Sequence, residues 1–301
     1  MKRIALFAIL LLASTNVFAD KLKVVTTISD LASITKEIGG DRVDVTAIAK
    51  GYQDPHFVEP KPSFLLLLRN ADLLEVVGLE LEIGWLPPLL EQSRNDKIRV
   101  GARGYLDVSQ GVEILDRPTG AVNRSMGDVH PMGNPHYWLD PANAVRMAIQ
   151  IDNRLAELDP QGAPYYAQRL NAFKIKINDA YKRWRAALAP YQGAKIITYH
   201  NSWPNFAKSF GLNVVGYVEP KPGVPPSPSH TFELINQMKA QHIKVIAMEP
   251  YFDQKTPQSV AAQTGAQVVI LYPSVGGAKS ATDDYFQLFD TNIANLTKAL
   301  K

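Results

Sequence analysis

Residues 162–189 of the chain, GAPYYAQRLNAFKIKINDAYKRWRAALA, form its longest periodic segment. Large apolar side chains recur there at spacings of three and four, the repeat of one face of an α-helix. They belong to Tyr166, Leu170, Phe173, Ile177, Tyr181, Trp184 and Leu188. A helix of about 28 residues is about 42 Å long at 1.5 Å per residue. The pattern therefore predicts one helix that runs the length of the molecule.

Strand and helix patterns alternate on both sides of this segment. Short β-branched runs before it predict four strands, at residues 23–27, 43–49, 73–77 and 98–100. Similar runs after it predict four more, at residues 195–199, 213–218, 244–248 and 267–271. Such alternation is typical of parallel sheets covered by helices. We therefore predict an α/β protein with two Rossmann-like lobes, each with a parallel sheet, joined by one long rigid linking helix.

The same patterns predict the domain boundaries. Residues 20–158 are assigned to an N-terminal lobe, residues 159–192 to the linking helix and residues 193–301 to a C-terminal lobe. Within the first lobe, a helix is expected at residues 82–92, interrupted by Pro87-Pro88, because proline breaks a helix interior.

Residues 1–19 have the features of a cleavable export signal. Lys2 and Arg3 form a charged start, residues 4–13 are apolar, and cleavage is expected before Asp20. An apolar run of about ten residues is too short for a permanent transmembrane helix. Because the sequence contains no cysteine, we expect neither a lipid anchor nor a disulfide. The mature protein is predicted to be a soluble monomer in the periplasm, not embedded in the membrane.

The charge of the chain gives no support for a nucleic-acid partner. The full sequence has 32 basic and 29 acidic residues, a net charge of +3. Removing Lys2 and Arg3 with the export signal leaves 30 against 29, a net charge of +1. A nearly neutral protein lacks the excess positive charge that attracts a phosphate backbone.

Residues 133–141, GNPHYWLDP, hold a histidine between a turn and a helix start. Pro135 restricts the backbone on both sides, so His136 is reached with little conformational freedom. Asp140 and Pro141 suit the cap and the first position of a helix over residues 141–158. His136 is interpreted either as a fixed ligand or as a buried structural histidine.

Three histidines lie at or near the carboxyl ends of predicted strands, or in the loops that follow them: His56, His136 and His200. Ligand sites of open α/β sheets gather at that edge. Two come from the first lobe and one from the second, so a shared site would lie in the cleft between lobes. Three neutral imidazoles suit zinc best, with copper and nickel as alternatives, whereas manganese favours more carboxylate.

Several motifs resemble those of the metal-specific substrate-binding proteins of ABC transporters, in the zinc and manganese branch. In chain order these motifs are DPH at 54–56, EPKPS at 59–63, NPHYWLDP at 134–141, TYHNSW at 198–203, PSPSH at 226–230 and MEP at 248–250. They cover nearly the whole mature chain. The resemblance implies two α/β lobes, a rigid linking helix, a metal bound between the lobes and a membrane permease as partner.

The resemblance also implies the ligands. His56, His136 and His200 fall on the three family positions that bind the metal. Histidine at the position of His200 is typical of zinc-binding members, and glutamate there is frequent in manganese-binding ones. The sequence therefore favours Zn²⁺ as the transported ion, with Mn²⁺ as the alternative.

The fourth ligand is left open by the sequence. The family often supplies an aspartate where this chain has Tyr272. Glu249, water and an acidic residue within 276–284 are the alternatives. Glu249 follows a buried strand and is interpreted either as a ligand or as an acceptor behind the site. The long His-rich loop of many zinc members is missing, and His130 near its place is interpreted either as a solvent-facing residue or as an auxiliary ligand.

The sequence is consistent with three functions. The favoured one is binding of zinc in the periplasm and its delivery to a permease, with a manganese- or iron-binding member of the same family as the alternative. A zinc hydrolase also uses three histidines and an open position. However, the sequence has no His-Glu-x-x-His motif and no paired general base, so we expect no enzyme. A carrier that hands metal to another periplasmic protein, or that binds a host surface, is the third possibility.

Overall fold

The first of two parallel sheets lies in the N-terminal half of the molecule. The computed structural model describes residues 20–301, and the export signal predicted for residues 1–19 lies outside them. The strands run in the spatial order β2-β1-β3-β4, all parallel. Their bounds are β1 Leu22–Thr26, β2 Val43–Ala47, β3 Leu73–Val76 and β4 Tyr105–Asp107.

The second sheet repeats this plan in the C-terminal half. Its spatial order is β6-β5-β7-β8, again all parallel. The bounds are β5 Lys195–Thr198, β6 Asn213–Tyr217, β7 Val245–Met248 and β8 Gln267–Ile270. The two sheets have the same strand order, and all of their strand pairs are parallel. The prediction of two α/β lobes with parallel sheets is therefore confirmed.

Helices connect and cover the strands. Within residues 20–301 the α-helices are α1 Ser29–Gly39, α2 Pro62–Asn70, α3 Leu86–Ser93, α4 Pro141–Leu158, α5 Ala163–Leu188, α6 Pro204–Phe210, α7 Pro228–Gln241, α8 Lys255–Thr264 and α9 Tyr285–Leu300. The predicted start of α4 is confirmed: the Asp140 carboxylate accepts a hydrogen bond from the Ala142 amide at 2.8 Å, and Pro141 takes the first position.

The long helix α5 packs against elements of both halves. It contacts α1 and α4 on the N-terminal side and α6 and α9 on the C-terminal side. The predicted apolar stripe is buried except for Tyr181, which is partly buried and whose hydroxyl donates to the Ser209 carbonyl at 3.0 Å. One hydrophobic cluster therefore extends from the first sheet through α4 and α5 to α6 and α9. A smaller cluster lies between the second sheet and helices α7 and α8.

Hydrogen bonds join the two halves directly beside the segment that carries His136. The Trp138 indole donates to the Pro273 carbonyl at 2.7 Å, and the Tyr285 hydroxyl donates to the Trp138 carbonyl at 2.5 Å. The Val275 amide donates to the Asp30 carboxylate at 3.2 Å. All these groups are buried or nearly so, which makes each bond costly to break without a replacement.

Two local predictions are wrong. Residues 98–100 form no strand: a 3-10 helix, Asp96–Ile98, stands there, capped by the Asn95 side chain, and the edge strand is Tyr105–Asp107. Val100 is exposed, so its β-branched side chain has no sheet to pack against. Pro87 and Pro88 do not interrupt a helix but stand in the first turn of α3, where their missing amide hydrogens cost nothing.

None of the helices within residues 20–301 combines the length and the apolar composition that crossing a bilayer requires.

We predict that the α5–α9 contact carries a large share of the stability. Trp184 is 2% exposed, stacks on Phe289 with ring centroids 4.8 Å apart, and donates to the Asp290 carboxylate at 2.6 Å. Trp184→Ala should lower the free energy of unfolding by about 3–5 kcal/mol, measured by urea denaturation. Ile175→Ala on the same helix is the control, because Ile175 is 66% exposed and its loss should cost within about 0.5 kcal/mol. Equal losses in the two variants would contradict the packing described for α5.

Candidate metal centre

His56 lies in the loop after β2 and is held by the residue two positions before it. The Asp54 carboxylate oxygen Oδ1 accepts from the His56 amide at 3.0 Å and lies 2.7 Å from the ring nitrogen Nδ1. The Trp85 indole fixes the same loop by donating to the Pro55 carbonyl at 3.0 Å. Because Nδ1 faces an acceptor, the neutral ring carries its proton there and leaves a lone pair on Nε2. That Nε2 is buried and has no hydrogen-bond partner within residues 20–301.

His136 is held in the same way. The Asn134 side-chain oxygen accepts from the His136 amide at 2.9 Å and lies 3.0 Å from its Nδ1. The Asn134 amide group in turn donates to the Asn201 carbonyl of the other half, at 2.8 Å. His136 is buried against the Trp138 ring, and its Nε2 also lacks a partner in the described part of the chain. An Asx residue two positions before the histidine thus orients both rings of the first half.

His200 follows β5 by two residues and is held from a distant part of the sequence. The Thr198 hydroxyl donates to the His200 carbonyl at 2.8 Å, which fixes the backbone. The Glu219 carboxylate lies 2.7 Å from the His200 Nδ1. Both side chains are buried, so the pair is shielded from water. Nδ1 again faces an acceptor, and Nε2 is left to act as a donor to a metal.

The three rings converge. One ring nitrogen of each histidine lies within 4.8 Å of the other two, and these three form the candidate metal-binding group of residues 20–301. Ring centroids are 5.1 Å apart for His56 and His136, and 5.5 Å apart for each of the other two pairs. Three imidazole nitrogens around one point match the donor set of a tetrahedral transition-metal site with one further position. The sequence-predicted residues His56, His136 and His200 are therefore brought together.

The surroundings shift the pKa values of these rings in opposite directions. Burial, and then the neighbouring imidazoles of His56 and His200, hold the pKa of His136 well below its ordinary value. Burial alone would lower the pKa of His200, but the hydrogen bond and the charge of Glu219 outweigh it, and the pKa lies above its ordinary value. Protons therefore compete with a metal for His200 and hardly at all for His136.

Glu249 lies behind His200, outside the three-histidine group. It follows β7 directly and is fully buried. One carboxylate oxygen accepts from the Trp203 indole at 2.9 Å, and the other, Oε2, has no partner among the described residues. Burial raises the pKa of Glu249 to about 7. The position fits the interpretation as an acceptor behind the site, and the free oxygen keeps it a candidate ligand.

The other candidates for a fourth ligand differ in their surroundings. His130 is not solvent-facing: its Nε2 is buried, and its ring centroid lies 5.3 Å from that of His56. Within residues 276–284, Asp284 caps α9 by accepting from the amides of Phe286 and Gln287, both at 2.8 Å. Tyr272, at the position of the expected aspartate, packs against the main hydrophobic cluster.

The residues that orient the three rings were not predicted from the sequence. Asp54 and Asn134 stand two positions before a histidine, a local signal that could have identified them. Glu219 is 19 residues from His200 and begins a Pro-rich loop, so only the fold brings the two together. Its role could not be found from local spacing.

Fold and site together define a class: a protein of two parallel-sheet α/β halves that share one buried site of three imidazoles. A family model described as zinc-uptake complex component A, periplasmic, matches residues 24–299, and the chain belongs to that family. The family comprises substrate-binding proteins of metal ABC transporters, which work with a membrane permease and are not enzymes. This membership confirms the expectation of no enzyme.

Known relatives differ in the metal of their names. The chain is 26% identical over 294 residues to the manganese ABC transporter substrate-binding lipoprotein PsaA of Streptococcus pneumoniae, which covers 95% of this chain and 91% of PsaA. It is 26% identical over 288 residues to the high-affinity zinc uptake system protein ZnuA of Bacillus subtilis, which covers 93% of this chain and 88% of ZnuA. A crystal structure of ZnuA superposes with a TM-score of 0.78 at 27% identity and covers 94% of this chain and 100% of that chain.

We predict that Glu219 sets the pH at which metal is released. Protonated His200 cannot bind a metal, so Zn²⁺ affinity should fall as the pH drops through the pKa of His200, which lies above the ordinary value of 6.5. Glu219→Gln keeps an acceptor oxygen but removes the negative charge. Burial then lowers the pKa of His200, so Zn²⁺ binding is lost at a lower pH than in the wild type. Affinity at pH 8 should weaken by about 10–100-fold, since the ring becomes less basic.

A chelator competition titration across the pH range measures both effects. Glu113→Gln is the control, because Glu113 is an exposed residue that pairs with Lys208 and does not contact the three histidines. An unchanged release pH in Glu219→Gln would contradict the assigned role of this carboxylate.

Proposed function

We propose that the protein binds one Zn²⁺ ion through His56, His136 and His200 and delivers it to the permease of an ABC transporter for import. One observation carries this proposal: three imidazoles from both halves of the molecule converge, two of them buried and that of His56 partly buried, each with Nδ1 beside an acceptor. The Nε2 atom of each neutral ring then directs an unprotonated lone pair toward a common point. A cation supplies the partner that these nitrogens lack.

The donor set supports zinc over manganese. Neutral imidazoles bind zinc more strongly than manganese, as ligand softness and the Irving–Williams order both require. The nearest acids are used otherwise: Asp54 and Glu219 orient rings through Nδ1. Carboxylates that orient imidazoles raise the basicity of the nitrogen donors without entering the coordination sphere.

A manganese- or iron-binding member is the second candidate. It is favoured by the similarity to the manganese-named PsaA and by Glu249, whose free and buried Oε2 could turn into a hard oxygen ligand. Such a site would need the Glu249 carboxylate to leave the Trp203 indole, which holds its other oxygen at 2.9 Å. That requirement makes the three-nitrogen zinc site the better supported of the two.

Delivery takes place, in this proposal, in the periplasm and by a monomer. Residues 1–19 support export, as their charged start and apolar run are typical of a cleavable signal. The division into lobes at residues 20–158 and 193–301, with 159–192 as the link, belongs to the same proposal. Because the link is rigid, the halves would shift only slightly on metal binding, and the main changes would occur in the loops that carry His56, His130 and His136.

We predict that each of His56→Ala, His136→Ala and His200→Ala weakens Zn²⁺ binding at least about tenfold, equivalent to about 1.4 kcal/mol. Each variant loses one of three direct bonds to the ion. Chelator competition at pH 8 measures the dissociation constants, and the melting temperature without metal checks folding. His242→Asn is the control, because His242 is exposed at the end of α7 and its positive φ of 54° suits asparagine. Binding as tight as wild type in any of the three would remove that histidine from the site.

A further inference from the structure

His130 lies as close to His56 as the members of the three-histidine group lie to one another. Its ring centroid is 5.3 Å from that of His56, within the range of 5.1–5.5 Å found among His56, His136 and His200. Its Nε2 is buried and has no hydrogen-bond partner in the part of the chain that the structure describes. A buried imidazole nitrogen that lacks a hydrogen-bond partner is a potential metal donor.

His130 is carried by a lid, residues 125–131, that reaches from the first half onto a loop of the second. The Asp128 amide donates to the Pro222 carbonyl at 2.9 Å, and the Lys221 ammonium group donates to the Ser125 carbonyl at 2.7 Å. Gly127 makes this approach possible: its φ is +79°, and a Cβ atom there would lie 2.3 Å from the Pro222 oxygen. The lid is therefore fixed to the same loop that supplies Glu219.

A small cavity lies beneath the lid. Its volume is about 50 Å³, and it is lined by three of the four neighbouring histidines, His130, His136 and His200. By this measure one water molecule needs about 10–15 Å³, so the space can hold an ion together with a few water molecules. Glu249 does not line this cavity, and the Trp203 indole holds one of its oxygens. His56 does not line this cavity but lines the adjoining one, which His130 lines as well. Of the two candidates for a fourth ligand, His130 therefore borders both spaces beside the three histidines, and Glu249 borders neither.

We propose that His130 is the fourth ligand and completes a site of four imidazoles when the lid moves inward. The proposal rests on the proposed function, in which the other three histidines bind the ion. Nitrogen ligands of a tetrahedral zinc ion are about 3.3 Å apart. Because His130 is outside the group whose nitrogens lie within 4.8 Å of one another, its ring must approach. Metal binding then draws in the lid, and lid opening removes one ligand before release.

Cobalt spectroscopy tests this assignment, because Co²⁺ reports its coordination shell through its visible d–d absorption. His130→Ala should change the energy or intensity of these bands, weaken Zn²⁺ binding at least tenfold and speed Zn²⁺ dissociation. His130→Asn serves as a second variant if the alanine variant folds poorly, as judged by its melting temperature without metal. A Co²⁺ spectrum and a Zn²⁺ affinity identical to wild type in the folded variant would overturn the assignment.

Two further variants separate a ligand from a residue that only packs the lid. Lys221→Met removes the bond to the Ser125 carbonyl and should speed Zn²⁺ dissociation while leaving the Co²⁺ spectrum unchanged. An unchanged rate of Zn²⁺ dissociation in Lys221→Met would overturn the part of the proposal in which lid opening precedes release. His56→Ala distinguishes the two proposals: an unchanged spectrum there would overturn the three-histidine site itself, whereas a change there with none in His130→Ala would overturn only the fourth ligand.

Discussion

The packing of α5 against both halves of the molecule is the constraint on which the rest of the structure depends. Helices α1 and α4 contact it from one half, and α6 and α9 contact it from the other. One hydrophobic cluster is continuous through it. Loops from the two sheets are thereby held facing each other. The sequence separates His56 from His136 by 80 positions and His136 from His200 by 64, yet one ring nitrogen of each lies within 4.8 Å of the other two.

The site is organised from behind each ring. Asp54, Asn134 and Glu219 each occupy one Nδ1, so every ring points its other nitrogen inward. Unpartnered buried polar atoms cost about 1–3 kcal/mol each, and the nitrogens of His56, His130 and His136 are of this kind. A bound ion relieves that cost, so metal binding and folding stability are coupled. A ligand that binds only the folded state stabilises it by about 2.7 kcal/mol at a hundredfold excess over its dissociation constant.

Much of this architecture could be predicted from the sequence. The apolar repeat of residues 162–189 predicts α5 to within a residue at each end, and the short β-branched runs predict seven of the eight strands. The failure at residues 98–100 is physical: Ile98 is buried by a 3-10 turn that Asn95 caps, and no alternation of side chains distinguishes this from a strand. Three of the histidines could be placed at strand ends because parallel strands share an edge.

Contacts across long sequence distances could not be predicted in the same way. The pairing of Glu219 with His200 depends on how β5 and β6 lie side by side. The burial of His130 depends on a loop of the second half that closes over it. Neither the Glu219–His200 pair nor the burial of His130 produces a periodic pattern in the sequence. The sequence left two interpretations of His130 open, and the solvent-facing one failed because the fold, not the local pattern, buries its Nε2.

The most direct measurement of the central claim is the metal content of the protein isolated, without added metal, from the cells that produce it, measured by elemental mass spectrometry. The donor set of buried imidazole nitrogens predicts about one zinc ion per chain and only traces of manganese and iron. Manganese or iron as the major metal would contradict the account, because it would require oxygen ligands that the described geometry keeps out of the site.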